Sequence, residues 1–327
     1  MFKMTGPFDS FQRRINYLRI SVTDRCNLRC IYCMPAKGIA MLPHSEILSY
    51  EEIRTVVQAA AELGIDKIRL TGGEPLVRAE LPKLVGMLSQ IKGIDEVSLT
   101  TNGTLLKKHA LELKEAGLGR VNVSLDTLRA DRFREITRLG KLEDVLNGIR
   151  TVRGAGLDPV KINMVVMRGI NDDEVLDFAN MTCKEEWHVR FIELMPFSGV
   201  AELVPSNELR QRISSLGKLE PCSSIIGNGP AVYYRLPGAK GTIGFINPVT
   251  EASFCSRCNR MRLTSGGKLR PCLLADDEID LKGALRNNAS MEETKGLILK
   301  AVASKPEHHG LGDNVVPVER KMSQIGG

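Results

Sequence analysis

Between residues 17 and 195 the chain alternates short β-branched and aliphatic runs with longer stretches whose apolar residues recur every three or four positions. The short runs are Tyr17 to Thr23, Lys67 to Thr71, Val97 to Thr101, Val121 to Leu125, Val160 to Val166 and Val189 to Leu194, and each reads as a strand. The first long stretch carries Ile53, Val56, Val57, Ala60 and Leu63, with Ser49 and Glu52 as a capping box and Gly64 as a stop. Leu81, Leu84, Val85, Leu88 and Ile91 repeat the helical spacing up to Gly93. Leu106, Ala110 and Leu113 follow, then Leu142, Val145, Leu146 and Ile149, and Asn171, with Glu174 three residues on, is expected to cap a fifth helix. Six βα units in series predict a parallel sheet wound in one hand, an α/β fold built as a partial (βα)6 TIM-type barrel.

Within the strands the pattern has period two. Arg19, Ser21 and Thr23 oppose Leu18, Ile20 and Val22; Lys67, Arg69 and Thr71 oppose Ile68 and Leu70. Ser98, Thr100 and Asn102, then Asn122, Ser124 and Asp126, then Lys161 and Asn163 continue the polar face. If helices cover the aliphatic face, the polar face lines the barrel. Closed barrels of this type fill their interior with branched apolar side chains, so a hydrophilic lumen needs a polar ligand. Buried Lys and Arg are costly without a partner, and Arg19, Lys67, Arg69 and Lys161 together imply an anion. The alternative is that some sit at strand ends or pair with Asp126 and Glu193.

Near Phe197 the alternation stops. The pattern divides the chain into a barrel over residues 1–198 and a C-terminal α+β region over 199–327. That second region has a helical piece from Ser206 to Leu216, short strands and turns around 225–230 and 236–244, a helix from Thr294 to Ser304, and a Gly326-Gly327 end.

A chain of 327 residues with a formal net charge of +6 and no long basic run is a weak candidate for nucleic-acid binding. No segment approaches the ~18 to 20 apolar residues that span a bilayer, and Met1 to Asp9 lacks the pattern of a signal peptide. A cytoplasmic location is expected. There, eight cysteines of which six fall into two clusters read as metal ligands rather than a disulfide framework. Cys183 and Cys222 stand alone, and the five histidines show no metal-like spacing. Neither a Walker A sequence nor a dinucleotide fingerprint occurs, so phosphate binding would rest on side-chain charge, which suits arginine.

Cys26, Cys30 and Cys33 follow the first strand as C-x3-C-x2-C. Three thiolates can hold three irons of a four-iron cube and leave the fourth open to a non-protein ligand. A zinc knuckle would want a fourth ligand, for which His44 is the nearest candidate. Cys255, Cys258 and Cys272 form C-x2-C-x13-C, which reads equally as a second open cluster or, with Cys222 or Cys183, as a structural zinc ribbon. Arg260 and Arg262 follow at once and resemble a substrate clamp. Thr71-Gly72-Gly73-Glu74-Pro75 closes the second strand with a turn that allows close backbone approach.

The first triad, with Tyr32 just before its last cysteine, and the Gly72-Gly73-Glu74 turn resemble the radical S-adenosylmethionine superfamily. With the second triad, and with the segments Arg19 to Cys26, Arg69 to Pro75, Asn122 to Asp126, Arg190 to Pro196 and Phe254 to Leu263, the chain resembles the MoaA-type GTP 3',8-cyclase family of molybdenum cofactor biosynthesis along nearly its whole length. The resemblance implies two four-iron clusters, on Cys26, Cys30 and Cys33 and on Cys255, Cys258 and Cys272. It places S-adenosylmethionine contacts on Tyr32, Gly72, Gly73, Glu74, Ser124 and Met195. GTP contacts fall on Arg19, Arg69, Thr100, Lys161, Arg260, Met261 and Arg262, with Lys67 and Arg190 as further phosphate partners, and the Gly326-Gly327 tail reaches the active site. It further implies an electron donor such as flavodoxin or ferredoxin, a downstream cyclic pyranopterin monophosphate synthase, and a homodimer. A peptide-modifying radical enzyme is the rival reading, which the basic lumen disfavours.

Overall fold

The six expected strands all form, each within two residues of its expected bounds: β1 (Tyr17–Ser21), β2 (Lys67–Thr71), β3 (Glu96–Thr101), β4 (Arg120–Ser124), β5 (Lys161–Val166) and β6 (His188–Glu193). The computed structural model describes residues 6–196, 199–223, 229–310 and 322–324. Gly326 and Gly327 lie outside the described residues. The helices are α1 (Tyr50–Glu62), α2 (Leu81–Ser89), α3 (Leu106–Glu115), α4 (Ala130–Thr137), α5 (Leu142–Gly154), α6 (Val175–Lys184), α7 (Ser206–Ile213), α8 (Leu281–Arg286) and α9 (Met291–Ala303). The Ser49–Glu52 capping box at α1 is present, with reciprocal bonds of 3.0 and 2.7 Å.

Strands β1 to β6 pair in sequence order, all parallel. Two more parallel strands join from the C-terminal region, enlarging the six expected to eight. β9 (Thr242–Ile246) runs beside β6, and β10 (Arg260–Leu263) runs beside β1 on the opposite edge. Antiparallel β7 (Glu220–Cys222) and β8 (Val232–Arg235) extend one edge, and β11 (Lys268–Arg270) and β12 (Ile279–Asp280) the other. The order β12-β11-β10-β1-β2-β3-β4-β5-β6-β9-β8-β7 leaves an open α/β barrel with a C-terminal α+β extension at both edges. Leu18, Ile20, Ile68, Leu70, Val97, Leu99, Val121, Val123 and Ile162 all face the helices in one core with Ile53, Val56, Leu84, Leu113 and Val145. The opposite face carries the polar set.

Two local readings are corrected. Asn171 caps no helix: its side chain accepts from the Met167 N–H at 2.8 Å and donates to the carbonyls of Asp126 and Val165 at 2.8 and 2.9 Å. Those strand-end groups outcompete the helix terminus, and Glu174 turns to Thr127, the Leu128 N–H and Arg132. Helix α4 appears where no helix was expected: it is only eight residues long, with Phe133, Ile136 and Thr137 buried, too short to repeat an apolar stripe.

Candidate active site

The loop after β1 carries Cys26, Cys30 and Cys33, and the unexpected helix α4 holds it. The N–H groups of Arg29 and Ile31 donate to the carbonyls of Thr137 and Ile136 at 2.9 Å each. Arg138, held at φ 59°, donates to the Arg29 and Met34 carbonyls at 2.8 and 3.0 Å. Tyr32 donates its phenol to Asp126 at 2.7 Å, and the other Asp126 oxygen accepts from the Val165 N–H at 2.9 Å. Burial raises Asp126 to about 6 against those bonds. The loop is thus tied to the ends of β4 and β5 at once.

Gly72 and Gly73 answer to the same loop. A Cβ on Gly72 would lie 2.7 Å from the Thr23 carbonyl oxygen, and one on Gly73 would lie 2.4 Å from that of Arg25. The turn pairs with this backbone through Gly73 N–H to Thr23 and Glu74 N–H to Arg25, both at 2.8 Å. Glu74 is fully buried, and its carboxylate accepts from the Leu76 N–H, the Thr101 hydroxyl and the Asn102 N–H at 3.0, 2.7 and 2.6 Å. Burial raises Glu74 to about 7. Its side chain locks the ends of β2 and β3 together, and Asn102 in turn reaches Cys26 Sγ at 3.9 Å.

The second triad lies toward the other end of the strands. Cys258 precedes β10, whose first residue Arg260 pairs with Tyr17 at the start of β1. Cys26 follows the end of β1, so four strand steps of ~3.3 Å, roughly 13 Å, separate the two levels. One cavity of about 330 Å³ spans them and is lined by all six cysteines. Between them, Arg262, Arg19 and Arg69 stand in a row across β10, β1 and β2. Arg190, Arg260, Thr100, Ser124, Met195, Gly72 and Gly73 complete the expected lining. Arg69 Nε, Arg190 Nε, Arg260 Nη1 and Asn163 Oδ1 are buried without hydrogen-bond partners. Burial, with like-charge neighbours, lowers Arg69 and Arg262 to about 10. The two carboxylates that might have neutralised this row are engaged elsewhere: Asp126 as above, and Glu193 with the N–H groups of Val249 and Thr250 at 3.0 and 3.1 Å.

Four expected ligand residues do not reach the cavity wall with their side chains, the first being Glu74, whose carboxylate is spent on the strand ends. Met261 points into the hydrophobic core, so a contact there could come only from its peptide. Lys67 sits on the lumen face but at the N-terminal end of β2, near Asp66 and Asp95 at 3.9 and 3.8 Å. Lys161 is buried behind the wall against Tyr233, 3.4 Å from its hydroxyl. Burial and then Arg190, Arg120 and Arg69 lower it to about 6. Lys305, Tyr17 and His309 line the cavity without having been singled out. Tyr17 shares strand parity with Arg19 and could have been.

The donor set fits iron-sulfur clusters. Leu28 N–H donates to Cys26 Sγ and Leu274 N–H to Cys272 Sγ, each at 3.4 Å, as anionic sulfur requires. Burial raises Cys258, but Arg260 and Lys305 outweigh it and bring the thiol down to about 6. No three Cys, His, Asp or Glu side chains among the described residues converge as around a single ion, and Cys183 and Cys222 are not among the cavity's lining residues. Neither cysteine offered as the fourth ligand of a zinc ribbon thus stands in the described cavity wall.

The family model of the radical SAM superfamily matches residues 20–182, and that of Molybdenum Cofactor Synthesis C matches residues 187–311. In fold the chain is similar to SuiB of Streptococcus suis bound to S-adenosylmethionine, with a TM-score of 0.63 at 14% identity, over 91% of this chain and 67% of that one. An open parallel barrel with C-x3-C-x2-C after its first strand and a Gly-Gly-Glu turn after its second defines a radical SAM enzyme, whose class carries a four-iron cluster and S-adenosylmethionine. The chain is 54% identical to a GTP 3',8-cyclase of Moorella thermoacetica, over 98% of this chain and 99% of that one. It is 56% identical to one of Pelotomaculum thermopropionicum over the same shares of each chain. The chain belongs to the GTP 3',8-cyclase family. Among the described residues no helix is long and apolar enough to cross a membrane.

Proposed function

We propose that this chain converts GTP to (8S)-3',8-cyclo-7,8-dihydro-GTP, removing the 3' hydrogen and joining C3' to C8, as the first step of molybdopterin biosynthesis in the cytoplasm. The observation that carries this reading is the single cavity with three thiols toward each end and Arg262, Arg19 and Arg69 in register between them. Cys26, Cys30 and Cys33 would hold a four-iron cluster, which with S-adenosylmethionine would supply the electron and the radical chemistry for hydrogen abstraction. Cys255, Cys258 and Cys272 would hold a second four-iron cluster, with an open iron for the guanine ring.

The protein's own part is positioning and charge. Arg19, Arg69, Arg190, Arg260 and Arg262 hold the triphosphate, with Thr100 beside Arg69 at 3.5 Å. Lys161 adds charge from behind the wall and Lys67 from the N-terminal end of β2. Tyr32, Gly72, Gly73, Ser124 and Met195 frame S-adenosylmethionine, and Glu74 acts through the turn it braces. A flavodoxin or ferredoxin delivers the electron, a cyclic pyranopterin monophosphate synthase takes the product, and the working form is a homodimer. The division into a barrel over 1–198 and a cluster-bearing region over 199–327 follows these two roles.

The test is anaerobic reconstitution, then iron and sulfide analysis and 5'-deoxyadenosine formation with and without GTP. About eight irons per chain are expected, with GTP-dependent cleavage and a cyclised product. Zinc at either triad, or cleavage indifferent to GTP with no nucleotide product, would refute the reading.

A further inference from the structure

Helix α9 ends at Ala303, and two residues on lies a lysine that the proposed reaction does not use. Lys305 is 3% exposed. Its ammonium donates to the Arg260 carbonyl at 2.9 Å and the Pro271 carbonyl at 2.6 Å, and it lies near enough to the Cys258 thiol to help lower its pKa. The two carbonyls take two of the three donors an ammonium has. No carboxylate among the described residues pairs with it.

We propose that Lys305 is the positioning residue and counter-charge of the second cysteine set, a role that rests on the reading of Cys255, Cys258 and Cys272 as cluster ligands. Arg260 lies two residues after Cys258 and Pro271 directly precedes Cys272. One ammonium therefore clamps the backbone beside two ligands that the sequence holds 14 positions apart. Arg13 does similar work at the third, donating to the Cys255 carbonyl at 2.9 Å and to the carbonyls of Glu307 and Pro306 at 2.8 and 2.6 Å. The two cations differ in one respect. Arg13 is already neutralised by Asp9 at 2.6 Å, whereas the charge of Lys305 meets only carbonyl dipoles and a thiol. A buried cation so placed is stable beside an anion, and three thiolates on an iron-sulfur core are one. Net charge and hydrogen bonds to sulfur set a cluster's potential, so the ammonium favours the reduced state and resists ligand loss.

The test uses the full chain with Cys26, Cys30 and Cys33 replaced by Ala, so that the only cluster present is the second. Redox titration followed by electron paramagnetic resonance and the rate of iron release to a chelator are measured for the parent, Lys305→Met, Lys305→Gln and Lys305→Arg, with circular dichroism to confirm folding. Lys305→Met should move the midpoint to more negative potential and speed iron release several-fold. Lys305→Arg should restore both, and Lys305→Gln, which keeps a donor without charge, should hold iron better than Met yet keep the lowered potential. Unchanged potential in Met and Gln, or equal cluster loss in Arg and Met in folded protein, would overturn the proposal. A parent that binds no iron at all would sink the reading of the second triad before any Lys305 variant enters, and the proposal with it.

Discussion

Arg19 and Arg262 stand directly opposite each other on adjacent parallel strands, and both face the same cavity. Arg69 stands opposite Arg19 on the other side. Adjacent strands lie ~5 Å apart, and two unit charges at that spacing would repel by about 3 kcal/mol at an effective dielectric near 20; burial first, and then Arg262 and Arg69 by this repulsion, lower the pKa of Arg19. A polyphosphate reverses the sign of that energy. Arg262→Met is therefore expected to raise the melting temperature of the ligand-free protein while weakening GTP at least tenfold, the scale of one charge-assisted hydrogen bond of ~1.5 to 3 kcal/mol. Thermal unfolding with and without GTP reads both. A lower melting temperature with unchanged GTP affinity would mean that the row is structural.

Lys161 gives the cavity a pH dependence. In the ligand-free protein it titrates at about 6, so at pH 7.5 it is mostly neutral. An anion beside the wall raises that value, and binding then takes up a proton. Affinity for GTP should strengthen as pH falls from 8 toward 6 and level off below about 6, apart from titration of the phosphate itself. Calorimetry in buffers of different ionisation enthalpy measures the uptake directly. Lys161→Met should abolish the excess over that of the nucleotide alone; uptake that persists in this variant would assign the proton elsewhere.

The two triads lie at opposite ends of one cavity, which separates their expected defects. Cys30→Ala should abolish S-adenosylmethionine cleavage. Cys258→Ala should spare cleavage by the reduced protein and lose conversion of GTP. Cleavage assays by chromatography of 5'-deoxyadenosine decide it, and equal loss of cleavage in both variants would argue against two roles.

Most of the barrel was legible because each strand carries a period-two pattern and each of its helices but the eight-residue α4 is long enough to repeat its apolar positions. The limits are equally physical. Parity reports which face a residue occupies but not its height along the strand, which is why Lys67 shares a face with Arg69 and still ends near Asp66 and Asp95. Parity also puts Met261 in the core between two arginines that face the cavity. The parallel pairing of β10 with β1 joins residues more than 200 positions apart, as Tyr17 with Arg260 shows, and no local pattern encodes it. Lys305 reads in the sequence as an ordinary cation near a helix C-terminus. Only the backbone of Arg260 and Pro271 folding around it gives it a site.

The glycine turn offers a prediction in which backbone contact, rather than ligand approach, sets the outcome. Gly73 has an ordinary φ, so its need for a missing side chain is steric. The atom a Cβ would meet, 2.4 Å away, is the carbonyl oxygen of Arg25, which cannot rotate aside. The same peptide accepts the Glu74 N–H at 2.8 Å, and Cys26 is the next residue. Gly73→Ala must therefore push the cysteine loop off the turn. It should lose iron from the first triad, and with it S-adenosylmethionine cleavage, while the second retains its own, leaving about half the iron of the parent. Gly86→Ala is the control. It lies in α2, where the nearest atom to a new Cβ is 3.9 Å away, and alanine in a helix interior stabilises by up to about 1 kcal/mol. Iron analysis and thermal unfolding of the two variants suffice. Full iron in Gly73→Ala would show that the loop can move away from the turn without cost; if cleavage were lost all the same, the glycine would serve the cofactor directly.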